Sequence, residues 1–204
     1  MILIDLYGGP GAGKTTLSYY LVYRLKMAGI RAELVGEAAR EHHIYDSAPG
    51  NVAPPLLDNQ VLLAGQQFER ILRLQRHGFE AAVSDSPLVQ GMLYCEGQPY
   101  YDHLKKAVRS LEKYFETYKV MIRPLPGSYD PESRLQRTEK EARALDAAVV
   151  RLAKGKFWQE VGWEEWDLLG DAVVGLAESK RPKSKTKRKF SFPAAPILVS
   201  RKIP

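Results

Sequence analysis

A single cysteine, Cys95, rules out a disulfide within the chain. Such usage fits a reducing compartment, so a cytoplasmic setting is expected. No apolar run approaches the ~20 residues needed to span a bilayer, and no membrane partner is expected. The opening residues, Ile2 to Tyr7, read directly into a strand. They lack the basic leader and apolar core of a secretory signal, so none is expected. Acid is missing from Ser179 to Pro204, which carry nine Lys or Arg. The whole chain has 30 basic and 24 acidic residues, which leaves 21 against 24 before Ser179, a net of −3. The formal charge of +6 therefore belongs to the C-terminal segment. Composition divides the chain into a body over 1–178 and a basic tail, expected to be flexible, over 179–204. At 204 residues, 45% hydrophobic and 26% charged, the body is an ordinary globular domain with a substantial core.

The most informative stretch begins at the N-terminus. Ile2-Leu3-Ile4-Asp5-Leu6-Tyr7 runs into Gly8-Gly9-Pro10-Gly11-Ala12-Gly13-Lys14-Thr15-Thr16. Gly8, Gly13, Lys14 and Thr15 occupy the fixed positions of G-x-x-x-x-G-K-[ST]. Leu17, Leu21, Leu25 and Ala28 then recur at helical spacing, and Gly29 is a stop. Strand, glycine-rich turn and helix are the context a phosphate-binding loop requires. Glycines let successive N–H groups turn inward onto an anion, and the helix start adds the positive end of its dipole. Lys14 is expected to reach the β- and γ-phosphates, and the Thr15 hydroxyl to ligate Mg²⁺. The pattern implies a bound nucleoside triphosphate.

Arg31 to Val35 reads as a second strand with Glu37 just beyond its end, where open α/β sheets place ligands. Glu37 suits either water-mediated Mg²⁺ ligation or proton acceptance from a hydroxyl; otherwise it is a helix-start acid. His42-His43 are adjacent, a poor spacing for one metal. Asp46 to Pro55 is a proline-rich loop. Leu56 to His77 is a long helical pattern in which Gln66, Gln67 and Arg70 are either surface residues or readers of an acceptor.

Ala81 to Ser84 is a short strand ending at Asp85, with Pro87 closing it. Asp85 is the expected second carboxylate of the Mg²⁺ site, or else a strand-end cap. Ser86 follows it, where hydrolytic motors commonly carry a Glu that activates water; its absence favours transfer to an acceptor. Tyr94 to Tyr101 is an aromatic loop, suited equally to base stacking and to filling gaps. Leu104 to Phe115 reads as a helix and Lys119 to Ile122 as a strand. Arg123, Arg134 and Arg137 border a proline-rich loop leading into a helix past Ala142. At least one is expected to close on the transferring phosphate. Phe157 to Val161 and Trp166 to Ala177 complete the pattern as strand and helix.

Four stretches in this order, Gly8–Thr16, Glu37–Glu41, Ser84–Pro87 and Arg134–Glu139 leading to Leu145-Asp146, carry a resemblance. The sequence resembles the small P-loop ATPase/kinases similar to the nicotinamide riboside kinase domain of the bifunctional NAD-biosynthesis regulator. The resemblance implies a three-layer α/β P-loop NTPase fold with a mainly parallel sheet and an arginine-bearing lid. It also implies ATP–Mg²⁺ as donor and a hydroxyl of a nucleoside-type acceptor. The catalytic residues would be Lys14, Glu37, Asp85, Arg134 and Arg137, with Thr15 and Asp85 toward the metal. The length leaves no room for a second nucleotide-transferring domain, so one activity is expected. The basic tail has no place in a small-metabolite kinase, but polyanion contact through counterion release would give it one. Viral relatives of this group are associated with phosphorylation of 5-hydroxymethyluracil within DNA, which makes a hydroxymethylated pyrimidine in DNA one expected acceptor. A free nucleoside or nucleotide is another, and a nucleic-acid-associated ATPase switch is the reading outside kinase chemistry.

Overall fold

Five strands, β1 (Ile2–Tyr7), β2 (Ala32–Val35), β3 (Ala81–Ser84), β4 (Glu116–Ile122) and β5 (Gln159–Val161), form one sheet in the order β2-β3-β1-β4-β5. Every pairing is parallel. Parallel neighbours need long crossovers, and helices α1 (Lys14–Met27), α2 (Gln60–Arg76), α3 (Tyr101–Glu112), α4 (Glu139–Leu152) and α5 (Trp166–Ser179) lie in them or after them. This computed structural model describes residues 1–9, 11–39, 59–123, 139–153 and 157–182, the side chains at 139 and 141–143 excepted. The expected three-layer α/β architecture with a parallel sheet is present; the arginine-bearing segment 124–138 lies outside the described residues.

β1 holds the centre, and all six of its residues are buried, as a strand covered on both faces must be. Alternation sorts them. Ile2, Ile4 and Leu6 join Leu17, Leu21 and Leu25 of α1 and Leu169 and Val173 of α5 on one side. Leu3 and Tyr7 join Ile71 of α2, Leu104 and Val108 of α3, and Val149 of α4 on the other. The chain leaves β1 toward one edge and later crosses to the opposite one. The carboxyl end of β1 is therefore a switch point of the kind that receives ligands.

Local chemistry explains several boundaries. α2 starts at Gln60 because the Asn59 side chain accepts from the Leu62 N–H at 3.1 Å; residues 56–58 of the expected helix are outside the described set. α3 ends at Glu112, not Phe115, and β4 starts at Glu116, not Lys119. Phe115 leaves the helix because its ring packs on Phe68, centroids 5.5 Å apart. A 3₁₀ turn over Leu88–Tyr94, unread from sequence, inserts Leu88, Val89 and Met92 beneath the second face.

Ser179, Lys180 and Arg181, which composition places in the tail, sit with the body. Ser179 ends α5, Lys180 pairs with Glu116, and Arg181 pairs with Glu80 and donates to the Gly29 carbonyl. Arg181 is the first cause holding the Glu80 carboxyl below its usual range. Cys95 is fully buried, and burial raises its thiol pKa. Among the described residues no helix is long and apolar enough to cross a membrane.

Candidate functional site

The loop after β1 is shaped by close approach. Gly8 has φ 155°, and a Cβ there would sit 3.0 Å from the Ala12 Cβ and 3.2 Å from the Ile122 carbonyl oxygen at the end of β4. Gly13 has φ 90° and lends α1 no side-chain cap, so the first turn of α1 opens toward the loop as an anion site does. Gly11 also has positive φ, Ala12 is buried, and Thr16 is exposed; Pro10 lies outside the described residues. The Lys14 Nζ donates to the carbonyl oxygens of Gly8 at 2.7 Å and Gly9 at 2.9 Å, which places its ammonium along the loop.

The neighbouring strand supplies the carboxylate. Asp85 follows β3, and its N–H donates to the Val35 carbonyl at 3.3 Å. Its Oδ2 accepts from the Thr15 Oγ1 at 3.0 Å. Two residues that sequence spacing marks for Mg²⁺, 70 positions apart, thus meet at the start of α1. A hydroxyl and a carboxylate are hard oxygen donors, and Mg²⁺ keeps several waters beside one or two protein ligands and the phosphates. This pair fits it. Among the described residues no group of three or more His, Cys, Asp or Glu forms a larger metal cluster.

Glu37 lies two residues beyond β2, whose Val35 pairs with Ser84 in register. It therefore shares the carboxyl edge with Asp85. Tyr94 lies within its electrostatic reach: burial first, and the Glu37 charge second, push the Tyr94 phenol up to about 12. Of the three α2 residues that the sequence singles out, Gln67 is not at the surface. It is buried; its Oε1 accepts from the Ala38 N–H at 3.3 Å, and its Nε2 donates to Ser84 Oγ and the Ser86 carbonyl. It ties the ends of β2 and β3 together and so fixes the spacing of Glu37 and Asp85. Arg70 donates to the Gly36 carbonyl at 3.2 Å, a second tie to the same turn, and Gln66 is half-buried. Helical spacing separates Gln67 from Gln66, since Gln67 lies four residues from both Leu63 and Ile71.

Beside Glu37 and Asp85 a cleft opens between α2 and the 3₁₀ turn, lined by Ala38, Gln60, Leu63, Ser86, Leu88 and Met92 among others. No charged residue lines it among the described residues. Gly91 makes room for the buried Gln60, since a Cβ there would come within 2.7 Å of its Oε1.

Arg134 and Arg137 lie outside the described residues, as do His42, His43 and 183–204. Arg123 is placed at the end of β4 and pairs with Glu164 and Glu165 at the approach to α5. A contact that sequence reasoning gave no role joins α4 to the loop: the Gly9 N–H donates to the Asp146 Oδ1 at 2.5 Å.

No family model matches the sequence. Solved structures do share the fold. The NadR protein in complex with NR aligns with a TM-score of 0.63 at 15% identity, over 91% of this chain and 54% of that one. The NadR protein in complex with NAD and AMP-PNP aligns with a TM-score of 0.62 at 16% identity, over 90% and 51%. The chain thus spans about half the length of these structures, and at this identity the likeness is one of fold.

Proposed function

We propose that the chain is an ATP- and Mg²⁺-dependent kinase that transfers the γ-phosphoryl group to a hydroxyl of a nucleoside-type acceptor. The observation that carries this reading is the meeting of Thr15 and Asp85 at 3.0 Å beside Lys14, at the mouth of a glycine loop. The NadR neighbours support it, one held with AMP-PNP and NAD and the other with NR.

In this account the amides of Gly11 and Gly13 and the Lys14 ammonium hold the triphosphate. Thr15 and Asp85 would hold the metal, which would supply positive charge to offset the negative charge of the triphosphate. The acceptor oxygen bonds to the γ-phosphorus as the bridge to the β-phosphate breaks, releasing the nucleoside diphosphate. Glu37 takes the acceptor proton, or exchanges roles with Asp85. Arg134 or Arg137 closes over the equatorial oxygens.

A second reading places the acceptor, a hydroxymethylated pyrimidine, within DNA. It is favoured by the seven Lys or Arg, with no acid, from Lys183 onward. The test follows label from γ-labelled ATP into free nucleosides and, separately, into duplex DNA with and without hydroxymethylated pyrimidines. Label in a free nucleoside supports the first reading and label in modified DNA the second. Phosphate release with neither acceptor labelled overturns both in favour of a switch ATPase. Truncation after Pro182, which keeps the Arg181 anchor, sharpens the choice: a DNA-acting enzyme loses affinity and its steep salt dependence, and a metabolite kinase keeps its activity.

A further inference from the structure

The Gly8–Gly9 peptide unit is held at both ends by charge. Its carbonyl oxygen, on Gly8, accepts from the Lys14 ammonium at 2.7 Å, and its N–H, on Gly9, donates to the Asp146 carboxylate. A peptide between two glycines has little steric preference for either orientation of its plane. Here a cation at the oxygen and an anion at the hydrogen select one. Flipping it would turn the carbonyl oxygen toward Asp146 and the N–H toward Lys14. A triphosphate that recruits Lys14 competes with this oxygen for the three ammonium N–H groups, whereas the Asp146 contact at the N–H is left in place.

Asp146 is itself fixed. Val149, one turn further along α4, is packed in the core beneath the sheet, and Arg109 of α3 donates to the Leu152 carbonyl at the end of the same helix. α4 is also the element that follows the segment bearing Arg134 and Arg137. We propose that Asp146 is a positioning residue that sets the phosphate-binding loop through the Gly9 amide. The proposal rests on the nucleotide-binding reading, and its test separates the two.

Wild type, Asp146→Ala and Asp146→Asn are titrated with Mg²⁺ and AMP-PNP by calorimetry, alongside thermal unfolding. Protein labelled with ¹⁵N-glycine reports the Gly9 amide proton without nucleotide. Asparagine keeps an oxygen acceptor for the Gly9 N–H and removes the charge. The expected result is about tenfold weaker binding in Asp146→Ala, the cost of one charge-assisted hydrogen bond. Asp146→Asn, which keeps an acceptor but loses the charge, should fall between wild type and Asp146→Ala, with unfolding midpoints of both near wild type. The Gly9 amide signal should move upfield in Asp146→Ala and far less in Asp146→Asn. Unchanged binding in Asp146→Ala overturns the proposal. A wild type that fails to bind nucleotide removes the kinase reading instead; an unshifted Gly9 signal in Asp146→Ala still removes this one.

Discussion

On the side of the sheet covered by α1 and α5, β1 presents Ile2, Ile4 and Leu6, all at 1% exposure or less. They meet an aliphatic layer whose charged partners, Arg24, Asp167 and Asp171, are confined to the rim. On the opposite side the same strand presents Leu3, Asp5 and Tyr7. Asp5 is 3% exposed, and neither its Oδ1 nor the Tyr7 hydroxyl finds a hydrogen-bond partner among the described residues. Lys119 stands opposite Asp5 in the ladder and pairs with Glu112, which also pairs with Arg109. Burial first, then Glu112 against the opposing pull of Lys119, push the Asp5 carboxyl up to about 7. The first face behaves as scaffold. The second carries buried ionisable groups, the Gln67 brace and the neutral cleft, which is where departures from simple patterning belong if function is drawn from that side.

The comparison can be broken most forcefully at its polar edge. Asp85→Ala should lower kcat by about 10³-fold, since it removes a preorganised charge at the transferring phosphate, while the unfolding midpoint stays near wild type. Steady-state kinetics beside thermal melts check it. Leu21→Ala tests the scaffold face in reverse: a fully buried leucine in the α1 layer should cost about 3 kcal/mol of stability in denaturant titration. Activity per folded molecule should remain.

Asp5→Asn sharpens the contrast through pH. A carboxyl raised from 3.8 to about 7 gives the folded state an extra proton between those values. The stability contribution is therefore fully present below about 4 and lost as pH rises through 7. Buried, and facing Glu112 with Lys119 only partly offsetting it, the ionised form is the unfavourable one. Asp5→Asn should gain about 4 kcal/mol over wild type at pH 8 and little at pH 4, read from urea titrations across that range. Arg24→Ala, at the solvated rim of the other face, should change stability by less than about 1 kcal/mol, and the same titrations detect it.

Legibility in the sequence followed the range of the interaction. The loop from Gly8 to Thr16 is contiguous and its chemistry local, so strand, loop and helix could be read together; Asp85 was legible because a strand pattern ends there against Pro87. The roles of Gln67 and Asp146 were not, since each acts on a backbone group far away in sequence: Ala38, 29 residues away, for Gln67 and Gly9, 137 away, for Asp146. Asp5 was hidden inside a run that reads as plain strand. Phe115 kept helical spacing yet left the helix, because an aromatic partner on α2 outweighed one further turn.

The central claim is that Lys14, Thr15 and Asp85 form a metal–triphosphate site, and Mn²⁺ substituted for Mg²⁺ tests it most directly. Water-proton relaxation would follow Mn²⁺ with AMP-PNP on wild type, Lys14→Ala and Asp85→Ala. The account predicts a strongly enhanced ternary signal for wild type, lost in Lys14→Ala because the triphosphate no longer binds and sharply reduced in Asp85→Ala while AMP-PNP alone still binds. Equal enhancement in all three proteins would contradict it.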